Sequence, residues 1–94
     1  MNKQKILFLI HHIECELPAL IEEVLNDSQE DPHYSAVYVS NLIKTCAELS
    51  KDINIDLQYS TVEEYFLLEN MNEEYFVFME KFNKEAEYYI GKIY

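Results

Sequence analysis

Two runs of the chain place apolar residues in alternating steps of four and three, the period that keeps one face of an α-helix apolar. The first is Ile6, Ile10, Ile13, Leu17, Leu20 and Val24; the second is Tyr75, Met79, Phe82, Ala86, Tyr89 and Ile93. Each covers about five helical turns. The second run predicts a long C-terminal amphipathic helix whose stripe serves either as core or as a dimer seam. The first passes straight through Pro18. An interior proline removes one helix hydrogen bond and crowds the carbonyl four residues back, here that of Glu14. Because the stripe keeps phase on both sides, the expectation is one helix kinked at Pro18. A break, with Pro18 opening a new helix, is the alternative.

Asn26–His33 (NDSQEDPH) reads as a loop. Asp31 before Pro32 offers an N-cap followed by a first-turn proline, which predicts a helix over about 32–50. That helix would bury Val39, Leu42, Ile43, Cys46 and Leu49 and turn Ser40, Lys44 and Glu48 outward. Residues 51–60 alternate, with Ile53, Ile55, Leu57 and Tyr59 apolar and Asp52, Asn54, Asp56 and Gln58 between them. A lone strand cannot stand, so this is expected to be an extended connector, or an edge strand if two copies pair through it. Thr61-Val-Glu-Glu64 matches a capping box and opens the next helix. Asn70-Met-Asn-Glu73 resembles a second cap and predicts a break or kink at 70–72. The segments EEYFLLE and EEYFVFME recur ten residues apart, too short to count as a structural repeat.

The 94 residues suit a single domain, 1–94. Half of them are apolar, with one glycine and two prolines, too few turn formers for a sandwich or barrel. The expected fold is all-α, a small bundle of four to five helices. Cys15 and Cys46 lack C-x-x-C spacing and read as reduced thiols of a cytoplasmic protein, Cys46 in the core. The apolar run Ile6–Ile10 ends at His11-His12, too short for a signal peptide or a membrane span.

Charge narrows the function. Eighteen acids stand against seven lysines and no arginine, for a net charge of −11. Arginine is the side chain best suited to gripping phosphate, so its absence argues against direct nucleic-acid binding. Anionic membranes are disfavoured for the same reason, and a basic protein is the partner this field attracts. The signs are also segregated. Seven acids and no lysine lie between Ile6 and Ile43, and eight acids and no lysine from Asp52 to Glu80. Ordinary solvated helices interleave both signs, because like pairs one turn apart cost about 0.2–0.5 kcal/mol each.

No chemistry-bearing motif competes with this pattern. His11, His12, Glu14, Cys15 and Glu16 contain pairs one turn apart, but no second pair completes a four-ligand site, so no metal is expected. Glu30-x-x-His33 resembles half of a di-iron motif and lacks its second copy. The single glycine, Gly91, makes no phosphate loop, and no nucleophile–base pair is recognisable. Paired carboxylates such as Glu22-Glu23 and Glu63-Glu64 read as solvated helix faces, so neither catalysis nor a cofactor is expected.

Two readings of the acidity remain: solubility of a generally acidic protein, and a polyanion imitator, a DNA mimic. Duplex DNA carries roughly one charge per 1.7 Å of axis, which over the ~33 Å of a 22-residue helix is on the order of twenty charges. Residues 73–94 carry five acids and three lysines, so that helix alone is a poor mimic. Only the two lysine-free blocks brought together approach the density. The expected contact residues are Glu22, Glu23, Asp27, Glu30, Asp31, Glu63, Glu64, Glu69, Glu73 and Glu74, with Tyr65 as an aromatic anchor. Val77 and Tyr88 are expected opposite the apolar stripe, and Phe76 and Tyr94 at its edge. In size, acidity and helix content the chain is similar to several unrelated small inhibitors: phage anti-restriction and anti-CRISPR proteins, and nuclease immunity proteins. That similarity is one of class and carries over no residue. The competing expectation is a helical adaptor that self-associates, as a homodimer, through the 75–93 stripe.

Overall fold

The computed structural model describes residues 2–26 and 35–93, without the side chains of residues 89 and 91–93. The described residues form four helices and no strand: α1 (Lys3–Leu25), α2 (Ala36–Asp52), α3 (Val62–Leu68) and α4 (Asn72–Ile93). The all-α expectation holds, at four helices. α1 packs chiefly on α2, while α4 touches all three other helices.

α1 starts where Asn2 accepts a hydrogen bond from the Lys5 N–H at 2.9 Å. It continues through Pro18, which lies on the exposed side, so the chain does not restart there. All six residues of the first stripe are buried, and Ile21 joins them at 1% exposure.

α2 begins later than expected. Its N-cap is Ser35, whose Oγ accepts from the Tyr38 N–H at 3.1 Å, and its first residue is Ala36 rather than Pro32. Asp31 and Pro32 lie outside the described residues. Helix starts leave their first N–H groups without helical partners, and residue 35 is where those groups are satisfied. The Glu85 carboxylate of α4 accepts from Ala36 at 3.2 Å and Val37 at 3.0 Å, completing what Ser35 begins. Ser40, expected outside, is 1% exposed. α2 contacts α1, α3 and α4, so its buried arc is wider than one stripe and takes in Ala36, Ser40, Ala47 and Ser50.

α2 and α3 both end in Schellman motifs with asparagine in the left-handed position. Asn54 has φ 55° and Asn70 has φ 58°. In the first motif Asn54 N–H meets the Lys51 carbonyl at 3.2 Å and Ile55 N–H that of Ser50 at 2.9 Å. In the second Asn70 N–H meets Leu67 at 3.1 Å and Met71 N–H meets Phe66 at 2.9 Å. These caps end α2 before the connector and separate α3 from α4, where a break was expected.

The connector 53–60 is not a strand, yet its alternation is real. Ile53, Ile55 and Leu57 are half-buried and Tyr59 buried, while Asn54, Asp56, Gln58 and Ser60 are exposed. On α4 the stripe is rotated from its expected centre. Tyr75, Met79, Phe82 and Ala86 are half-buried, and Phe78, not among the expected stripe residues, is fully buried. Steps from Tyr75 to Phe78 to Phe82 fit the helical period as well as steps through Met79. Phe66 decides between them, packing on Phe78 with ring centroids 4.9 Å apart.

Candidate functional site

The Schellman turn at Asn70 folds α3 back onto α4 as an elbow and brings the two similar segments together. Phe66 from the first copy, with Tyr75 and Phe76 from the second, lines a cleft of about 200 Å³ completed by Glu63, Leu67 and Asn72. The rings meet edge to face, Phe66–Tyr75 at 5.8 Å and Tyr75–Phe76 at 5.7 Å. Leu67 is 55% exposed and Phe76 73%. Leu67 and Asn72 escape the sequence reading; the signal for Leu67 was the ten-residue recurrence, which brings aromatic clusters from both copies to one turn. A second cleft of about 270 Å³ shares Glu63 and Tyr75 with the first and runs on past Thr61, Val62, Met79 and Phe82 to Ser40 and Lys44. The Ser40 Oγ is buried there with no hydrogen-bond partner.

Of the carboxylates among the described residues, only Glu63 lines these clefts. All eight acids from Asp52 to Glu80 are exposed. Glu63 and Glu64 occupy the first turn of α3, and Glu73 and Glu74 that of α4, where the helix dipole favours negative charge. Thr61 Oγ1 accepts from the Glu64 N–H at 3.2 Å, and Ser60 Oγ donates to the Glu64 carboxylate at 3.1 Å. Four other acids stand at the unfavourable ends. Glu22 and Glu23 lie in the last turn of α1, Asp52 closes α2, and Glu69 caps the C-terminus of α3. Glu22, Asp52 and Glu69 are exposed and Glu23 is half-buried. The C-terminus of α1 meets α4 at Lys81, whose ammonium donates to the carbonyls of Val24 at 2.8 Å and Leu25 at 3.4 Å. Lys81 is nine residues beyond Asn72, so the α1 acids and the elbow are separated by about 14 Å along α4. Asp27, Glu30 and Asp31 lie outside the described residues.

Tyr65, expected as an anchor for a partner, is 3% exposed and belongs to the core. Its ring meets that of Tyr59 edge to face at 5.0 Å, a contact between the connector and α3 that local periodicity does not reveal. Burial, with the nearby charges of Glu69 and Glu14, pushes the Tyr65 phenol up to about 12. Tyr59 is held neutral more strongly, by burial first and then by Cys46 and Glu14, and its hydroxyl donates to Glu14 Oε2 at 3.0 Å. Burial, reinforced by Glu14 and opposed by the Tyr59 hydrogen bond, raises the pKa of the fully buried Cys46 thiol.

Glu14 is thus engaged by Tyr59. His11 Nε2 lies 3.5 Å from Cys15 Sγ, and His12 Nε2 lies 3.3 Å from the Glu16 carboxylate, two separate pairs on the exposed side of α1. Among the described residues no three metal-ligating side chains come together. Outside the elbow, Val77 and Tyr88 are exposed on α4, as are Leu7, Phe8 and Leu9 on α1. No helix of the described residues is long and apolar enough to cross a membrane. No protein-family model, curated protein or solved structure matches the chain.

Proposed function

We infer that the protein is an acidic inhibitor that binds the basic groove of a nucleic-acid-processing or defence protein, its carboxylates standing in for a polyanion. The observation that carries this reading is the placement of Glu22, Glu23, Asp52 and Glu69 at helix C-termini. Acids at helix N-termini stabilise their own helices, so Glu63, Glu64, Glu73 and Glu74 have a local reason to be where they are. The C-terminal four oppose the dipole at about 0.3–1 kcal/mol each. Selection for binding accounts for retaining acids there; solubility alone is served equally well by acids at neutral positions. Steering by the summed field, then a few desolvated carboxylate–cation pairs, would supply rate and affinity. The alternative, self-association through α4, is weakened because Tyr75, Met79 and Phe82 already pack on the chain's own core.

The test is capture from a nuclease-bearing host lysate on immobilised protein, with elution by duplex DNA. The expected result is a basic-cleft protein displaced by DNA, held less tightly as salt rises, and lost from a folded variant carrying Glu63→Lys, Glu64→Lys, Glu73→Lys and Glu74→Lys. Retention of the same protein by that variant overturns the reading.

A further inference from the structure

The elbow cleft has a composition that specifies its occupant, and we propose that it receives a single cationic side chain, arginine or lysine, from the basic partner. The proposal rests on the inhibitor reading and names the contact at its centre. At about 200 Å³ the cleft is below the usual range for small-molecule sites, roughly 300–1,000 Å³, and suits one inserted side chain. Its lining combines Phe66, Tyr75 and Phe76 with the aliphatic Leu67, the Glu63 carboxylate and the Asn72 amide, and no cation.

Each part matches a part of arginine or lysine. The aliphatic stem lies along Leu67 and the exposed ring of Phe76. The charged head sits over ring faces, which attract cations through their quadrupole. Glu63 supplies a charge-assisted hydrogen bond, and the Asn72 carbonyl oxygen a neutral one. Other occupants leave part of the site unused or opposed. An anion meets Glu63, with Glu64, Glu69, Glu73 and Glu74 on the same two helices. A neutral apolar side chain leaves the carboxylate unengaged. A second copy of the chain brings its own net charge of −11. The neighbouring cleft, whose lining includes Lys44 as well as Glu63, lacks this one-sided charge.

The probe is acetyl-arginine amide, with acetyl-lysine amide beside it and acetyl-norleucine amide as the uncharged control, followed by side-chain NMR. The expected result is saturable shifts of the Leu67 methyl and Phe76 ring resonances with both cations and none with norleucine amide. Glu63→Gln should weaken arginine-amide binding about fivefold, and Phe76→Ala, at an exposed position, should abolish the localised shifts while the fold is unchanged by circular dichroism. Equal shifts with norleucine amide overturn the proposal, as do shifts spread over the whole acidic surface and indifferent to Phe76→Ala. In either case, if the captured target still binds wild-type protein and not the fourfold charge-reversed variant, the inhibitor reading stands and only the cleft assignment falls.

Discussion

Lys81 and Glu85 stand one turn apart on α4 and serve helix ends of opposite polarity. Lys81 donates to the last carbonyls of α1, and Glu85 accepts from the first N–H groups of α2. Both macrodipoles are therefore met by complementary charge from one helix. Neither residue reads as structural in the sequence, where they look like ordinary surface charges.

Glu85→Ala removes two charge-assisted acceptors from part-buried N–H groups and should lower stability by about 2 kcal/mol. For a domain of this size that is roughly 10 °C in Tm. Glu85→Gln, which keeps one carbonyl oxygen, should lose less. Thermal unfolding followed by circular dichroism checks both. Equal Tm values for Glu85→Ala and wild type would mean that water replaces the carboxylate at no cost.

The asparagines that end α2 and α3 give a second prediction. A left-handed residue other than glycine carries a penalty of roughly 1–2 kcal/mol, smaller for asparagine. Asn54→Gly and Asn70→Gly should therefore be neutral or slightly stabilising, and Asn54→Ala and Asn70→Ala should destabilise by about 1 kcal/mol each. Denaturant melts distinguish the two pairs.

These asparagines also show where the sequence is readable. The break before Asn72 was visible because a cap is a local pattern, and the α1 stripe because that helix buries essentially one face. Ser40, expected outside, and Phe78, outside the expected stripe, are buried because α2 and α4 are each met by three neighbours, which widens or rotates the buried arc beyond one stripe. Tyr65, expected as an anchor, is core because Tyr59, near the end of the connector, packs on its ring, a contact that local periodicity does not reveal. The acids of the elbow were legible as charge. Their division into those that stabilise and those that oppose helix ends needed the helix boundaries.

Tyr59 and Tyr65 make the fold sensitive to alkali. Both phenols are held neutral in the folded chain, with Tyr65 pushed up to about 12 and Tyr59 raised as well, from an ordinary value near 10. Above pH 10 the unfolded chain releases these protons and the folded chain keeps them. Their contribution is thus whole below pH 10 and is lost as pH rises toward 12. Unfolding at a series of pH values should show stability falling from about pH 10, with a shallower fall in Tyr65→Phe. Tyr59→Phe also removes the hydroxyl that serves Glu14 and should lower stability by about 1 kcal/mol at neutral pH.

The two thiols should differ in reactivity. Cys15 is exposed beside His11, while Cys46 is fully buried with its pKa raised. Since the thiolate is the reacting form, a thiol reagent should label Cys15 in the native protein and Cys46 only on unfolding. Mass spectrometry of labelled peptides reads this directly.

The helix-end acids separate function from solubility in one set of variants. Asp52→Asn and Glu69→Gln remove charges that oppose the α2 and α3 dipoles, and each should raise stability by about 0.3–1 kcal/mol at low salt, less at high salt. Glu63→Gln and Glu73→Gln remove charges that favour their helices and should lower it by a similar amount. Binding of the captured target should weaken in all four, because the polyanion surface loses a charge in each. Asp52→Asn and Glu69→Gln would then be more stable and less active, the signature of residues kept for a partner at a cost to the fold. If both gain stability and bind the target with unchanged affinity, those two acids lie outside the interface, and the helix-end placement loses its weight as support for the inhibitor reading.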